Sequence, residues 1–223
     1  MTVIAEQPQV YCPSLHLLSE EELERLSIFR LHDKSKKYRY SHSNELVSIR
    51  SFLQEDEAWM VLYFIGEHVS VRYSQLLFFM KKRLNRQAMS RILKTLDYYQ
   101  IIQKWRIQIR QDEESEEAAS YKESAFTITE YGYQLLKYWC GQKYFYHPKN
   151  FEKHGKYVHL RYWQDIDMLC HLRNQPRYQD HIMHAKLTHG LLPSSFSFRV
   201  KQKKNNEINF IVYSVIERVL NPS

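Results

Sequence analysis

The stretch Asn85-Arg86-Gln87-Ala88-Met89-Ser90-Arg91-Ile92-Leu93-Lys94-Thr95-Leu96-Asp97-Tyr98-Tyr99 decides the fold. Its apolar members Met89, Ile92, Leu93, Leu96 and Tyr99 recur at i, i+3, i+4, i+7 and i+10, the spacing that lines one side of an α-helix. Arg86, Gln87, Ser90, Arg91, Lys94 and Thr95 fall on the opposite side. Asn85 stands just ahead of the first turn, where an Asn side chain satisfies backbone N–H groups that have no partner within the helix. The stretch therefore predicts a helix reaching about Tyr99, with one buried face and one basic, hydrogen-bonding face.

Downstream the period changes. In Ile101–Arg110, Trp105, Ile107 and Ile109 alternate with Lys104, Arg106, Gln108 and Arg110, which predicts a half-buried strand. The acidic run Asp112-Glu113-Glu114-Ser115-Glu116-Glu117 reads as a loop, and Ala125-Phe126-Thr127-Ile128 as a second strand. Thr129-Glu130-Tyr131-Gly132 then opens a helix holding Leu135, Leu136, Tyr138 and Trp139. Upstream, Glu55–Ile65 carries Trp59, Leu62, Tyr63 and Ile65 behind an acidic first turn, and Gly66 is expected to end that helix. Val69-Ser70-Val71 reads as extended, Tyr73–Met80 as another apolar helix, and Lys81-Lys82-Arg83-Leu84 as a basic turn.

The order helix, short strand, helix, turn, helix, strand, loop, strand, helix resembles the winged helix-turn-helix of MarR-type and related DNA-binding proteins. Tyr73-Ser74-Gln75-Leu76-Leu77 matches the support helix and Asn85 to Leu96 the recognition helix. Ile101-Ile102-Gln103-Lys104 matches the start of the wing, and Phe126-Thr127-Ile128-Thr129-Glu130-Tyr131-Gly132 its exit. The resemblance covers residues 55–139, and Gln100 stands where such domains often have Gly. It implies a helix lying in the major groove of double-stranded DNA, where Arg pairs with guanine and Gln or Asn with adenine. Arg86, Gln87, Ser90 and Arg91 then lie nearest the base edges, beside Asn85. Lys81, Lys82, Arg83 and Lys94 are placed for phosphates, and Lys104, Arg106 and Arg110 for the backbone beside the wing. Glutamates at the wing tip are repelled by phosphate, so the tip is expected to point away from DNA or to meet a basic protein partner. The alternative is a winged helix that docks protein, its basic face merely solvated.

Composition agrees with a globular chain: of 223 residues 43% are hydrophobic, 26% charged and 14% aromatic. With 5 Gly and 6 Pro it is not collagen-like, and neither G-x-x-x-x-G-K-[ST] nor G-x-G-x-x-G occurs. The net charge of +7 and pI near 9.2 point to an acidic partner. Residues 53–111 carry 10 basic against 5 acidic side chains, whereas 112–123 carry 1 against 6. Cys12, Cys140 and Cys170 match no metal or redox spacing. No apolar run is long enough to span a bilayer and no basic signal-peptide start is present. The expectation is a reduced, cytoplasmic protein with no cofactor and no membrane partner.

Outside the central segment, Ser19-Glu20-Glu21-Glu22 reads as a capping box leading a helix into Leu23 and Leu26. The basic-aromatic tract Lys34-Ser35-Lys36-Lys37-Tyr38-Arg39-Tyr40 suits phosphate and base stacking, or a solvated arm, equally. Asp165–Arg173 predicts a helix with Ile166, Leu169 and Cys170 inward, Asp180–Thr188 another, and Ser195–Val200 with Ile208–Val215 a hairpin. That order resembles, more weakly, the plasmid and mobile-element replication-relaxation proteins, which pair a winged helix with a nuclease-like α/β domain. Ser194 replaces the Asp that such a core needs. Glu207 and Glu217 then lack a third carboxylate for Mg²⁺, so nuclease chemistry is not expected. His181, His184 and His189 lack a fourth ligand for zinc. The sequence thus predicts an α+β, mainly helical chain: an N-terminal helix and arm over 1–52, a winged helix over 53–146, and a helix-plus-hairpin domain over 147–223. The expected protein is a non-enzymatic, homodimeric, sequence-specific DNA binder in transcription or in plasmid or mobile-element replication and maintenance. The aromatic helices at 131–146 and the C-terminal half are the expected dimer surfaces.

Overall fold

The computed structural model describes residues 20–31, 49–110, 119–141, 145, 147–148, 156–183, 196–201 and 206–213. The tract 34–40, the acidic run 112–117, His184, His189, Ser194 and Glu217 lie outside them. The architecture is α+β, with six helices and two antiparallel sheets among the described residues. Helix α1 (Glu20–Arg25) runs directly into strand β1 (Leu26–Arg30). Helix α2 (Asp56–His68), strand β2 (Ser70–Arg72), helix α3 (Tyr73–Met80) and helix α4 (Arg86–Tyr98) follow. Strands β3 (Ile102–Arg110) and β4 (Ala119–Ile128) form a hairpin, and helix α5 (Glu130–Cys140) leaves it. Helix α6 (Lys156–Arg173) leads to strands β5 (Tyr178–Met183), β6 (Phe196–Lys201) and β7 (Glu207–Val212).

Local chemistry accounts for most boundaries. Asn85 Oδ1 accepts from Ala88 N–H at 2.8 Å and starts α4, and Thr129 Oγ1 accepts from Gly132 N–H at 3.1 Å and starts α5. Gln100, after α4, sits at φ 53°, the left-handed conformation that a Gly adopts without strain. Val69 takes φ 68° and ψ −59°, a γ-turn that swings the chain from α2 into β2.

The first sheet has the order β1-β3-β4-β2. Trp105 pairs with Ala125 at the centre of the hairpin, Val71 with Phe126 on one side, and Leu26 with Ile109 on the other. Met89, Ile92, Leu93 and Leu96 of α4 are buried with Leu62, Ile65 and Leu76 in the helical core. Ile166 and Cys170 of α6, beyond the expected boundary at 147, join the same cluster. Leu160 and Trp163 of α6 pack with Trp105 and Ile107 of the sheet. The second sheet, β5-β6-β7, places Phe196 and Phe198 against Leu169 of α6. Among the described residues no helix is long and apolar enough to cross a membrane.

Three expectations are corrected. Gly66 does not end α2; it lies inside the helix, where a Cβ would stand 2.3 Å from Leu136 Cδ1 of α5, so the missing side chain is a packing contact. The N-terminal helix stops at Arg25, because Leu26 and Ile28 supply the alternation that lets β1 pair with β3 and bury against Trp105 and Ile107. Of the helix expected over Asp180–Thr188, residues 180–183 belong instead to β5, since pairing with Phe196–Arg199 outweighs a weak helical pattern, and 184–188 lie outside the described residues.

Candidate nucleic-acid interface

The capped start of α4 fixes which side chains its outer face presents. Arg86, Gln87, Arg91 and Lys94 are exposed along it, and Ser90 and Thr95 are half-buried. Ser90 Oγ lies 3.1 Å from the Tyr73 hydroxyl, and that hydroxyl donates to the Arg86 carbonyl at 3.4 Å. Tyr73, at the start of α3, therefore fastens the first turns of α4, and Ser90 shares its hydroxyl with the protein. Thr95 Oγ1 donates to the Arg91 carbonyl at 3.0 Å. Arg91 reaches within 3.9 Å of Glu55, a solvated pair worth little. Asn85 uses its oxygen as the cap, so its role here is structural.

The basic turn between α3 and α4 exposes Lys81, Lys82 and Arg83. The Lys81 ammonium stands 4.6 Å from the centre of the Phe78 ring, and Arg83 points an N–H at Met60 sulfur at 3.5 Å. On the other side of α4 a groove of about 390 Å³ separates the helix from the β3–β4 hairpin. Lys94, Lys104, Arg106 and Lys122 line it, together with Asp97 and Glu123. Arg106 pairs with Ser124 and Lys104 with Phe126, so alternation sends these side chains to the face opposite Trp105 and Ile107. Arg110 closes β3 at a bulge. Lys122 and Glu123 were not expected here, since the sequence reading began β4 at Ala125. The observed strand starts at Ala119.

Behind the groove lies a buried charge network that the sequence reading missed. Arg72, at 0% exposure, donates to both oxygens of Asp167 on α6, at 2.6 and 2.7 Å. Its other terminal nitrogen lies 3.4 Å from Glu123 and from the Tyr121 hydroxyl. Gln75 accepts from Arg72 N–H at 2.9 Å and donates to Asp167 at 2.7 Å and to the Trp163 carbonyl at 2.8 Å. Glu123 also accepts from Ser74 N–H at 2.8 Å. One nitrogen, Nη2, makes both contacts to Asp167, and removing one member of such a buried pair costs about 3–5 kcal/mol. Burial first, then the Glu123 carboxylate, pushes the Tyr121 phenol well above its usual range, so it stays protonated and donates to Glu123.

Of the zinc and carboxylate candidates, His181 and Glu207 lie among the described residues. Among the described residues no three His, Cys, Asp or Glu side chains are grouped to hold a metal ion. His181 pairs with the Tyr178 hydroxyl on its own strand, and Glu207 with Arg199 at 3.0 Å. Asp180 also pairs with Arg199, and that hydrogen bond holds the Asp180 carboxyl below the usual carboxylate range. Comparison of the chain with family models, curated proteins and solved structures finds no match.

Proposed function

We propose that residues 55–140 are a winged helix that binds double-stranded DNA sequence-specifically, with α4 in the major groove and the β3–β4 hairpin as the wing. The observation that carries the reading is the exposed Arg86, Gln87, Arg91 and Lys94 face of a capped helix, continuous with a groove edged by Lys104, Arg106 and Lys122. The order of elements supports it, since β2 closes on β4 and the hairpin follows the exposed helix directly. Arg86 and Gln87 open the helix and are presented to base edges, where a bidentate contact discriminates by about 1–3 kcal/mol. Lys81, Lys82, Arg83, Lys94, Lys104, Arg106 and Lys122 flank them and neutralise phosphates, releasing counterions. Binding as a homodimer to a two-fold site, in transcription or in plasmid or mobile-element replication and maintenance, completes the proposal.

The test is selection from a random duplex pool with the full chain, followed by retitration across salt. A recurring motif preferred over random DNA by roughly 10³-fold or more supports the reading, and its half-site spacing reports the dimer. Combined Arg86→Ala and Arg91→Ala should erase the preference while leaving the melting curve in place. Failure to bind duplex near 100 mM salt would refute it and favour a protein-docking winged helix.

A further inference from the structure

Glu123 is, with Asp97, one of two anions lining a groove whose cations are Lys94, Lys104, Arg106 and Lys122. A carboxylate there opposes phosphate, yet it is not turned to those cations: its side chain is 11% exposed and engages Arg72, Tyr121 and the Ser74 N–H. Arg72 is clamped in turn by Asp167 on α6. The next two residues of the chain are Tyr73, which fastens Ser90 and the Arg86 carbonyl of α4, and Ser74, which is bonded to Glu123. One connected set of contacts therefore joins α6 to the hairpin and to the first turns of α4.

Resting on the DNA-binding reading, we infer that Glu123, Arg72 and Asp167 are positioning residues that set the hairpin against α4, so that both meet one duplex together. None of them touches DNA in this scheme. Glu123 fixes the hairpin to the start of α3, and the Arg72–Asp167 pair transmits the seating of α6 to that junction. Electrostatics and positioning give opposite signs for one substitution. Glu123→Gln removes an anion from a cationic groove, which by charge alone tightens binding to any DNA. If Glu123 positions the hairpin, the same change weakens binding to the selected motif while random DNA is bound as well as before or better.

The experiment uses the full chain with Glu123→Gln, Glu123→Asp and Asp167→Asn, titrated against the selected duplex and a random duplex of equal length, with deuterium uptake followed in peptides spanning 73–90 and 119–126. Expected for Glu123→Gln is about a tenfold loss on the selected duplex, no loss on random DNA, and faster uptake in both peptides. Glu123→Asp should recover part of the loss, and Asp167→Asn should move the same readouts in the same direction. Equal or tighter binding of Glu123→Gln to the selected duplex, with uptake unchanged, overturns the positioning role. Asp167→Asn counts only where its melting curve shows it folded; Glu123→Gln, on the groove rim, decides the matter without it. If the wild-type chain selects no duplex, the DNA reading fails by itself. The uptake changes then still decide whether this network ties the hairpin to α4.

Discussion

Gly132→Ala offers a sharp test of the packing, because two effects of known size oppose each other. In an ordinary exposed helix the change gains about 1 kcal/mol of propensity. Gly132, however, lies in the first turn of α5, and a Cβ there would stand 2.2 Å from the Ile101 carbonyl oxygen. That oxygen also accepts from Thr129 N–H at 3.0 Å and from Thr129 Oγ1 at 3.1 Å, so backbone, not a movable side chain, receives the clash. Overpacking of this kind costs about 1–3 kcal/mol, and a rigid acceptor places it at the upper end. The net expectation is a loss of about 2 kcal/mol, or roughly 4–8 °C in Tm for a chain of this size. Gly66→Ala is the internal contrast. Its Cβ would meet Leu136 Cδ1 at 2.3 Å, the far end of a flexible side chain that can rotate away, so the change should lie within about 1 kcal/mol of neutral. Urea and thermal unfolding of both variants measure the difference. A Gly132→Ala protein as stable as the wild type, or more stable, would refute the claim that α5 is seated directly on the start of β3.

Gln100→Gly should raise stability by about 0.5–1 kcal/mol, since φ 53° is strained for Gln and open to Gly; a lower Tm would show that the Gln side chain matters more than its backbone. Asn85→Ala removes the cap of α4 and should cost about 1 kcal/mol, with faster amide exchange confined to the first turn of that helix. Burial raises the Glu67 carboxyl above its ordinary value near 4.5, so the fold favours its protonated form. The stability this contributes is complete below pH 4.5 and is lost as pH rises through the raised value. Glu67→Gln should therefore be more stable than wild type at pH 7 and indistinguishable at pH 4, which melting curves at the two values check.

Local patterns carried the central helices. Tyr73–Met80 was legible to the residue, and the Asn85 cap with the stripe Met89, Ile92, Leu93 and Leu96 foretold both the start of α4 and its buried side. These signals are short-range, and tertiary packing did not oppose them. Where pairing comes from far away, the sequence misleads: β1 and β5 are strands only because β3 and β6 lie beside them. The exposed candidates on α4 and its preceding turn were likewise readable from helical spacing, whereas Lys122 and Glu123 depended on the true length of β4. The Arg72–Asp167 pair gave one faint hint, two aspartates at 165 and 167 among apolar neighbours that the structure buries. Nothing in that local pattern names Arg72 as the partner.

The same pair bears on the order in which the protein is made. Arg72 leaves the ribosome 95 residues ahead of Asp167, the carboxylate that clamps it. At about 5–20 residues per second, that interval is roughly 5–20 s. For much of it the chain through α5 is already synthesised, yet the sheet still lacks Trp163 and Leu160, and the guanidinium has Glu123 but still lacks Asp167, the nearer of its two carboxylates. The nascent chain thus carries a nearly complete assembly with one apolar, charged seam open. A chain released before α6 is made would present that seam to its neighbours.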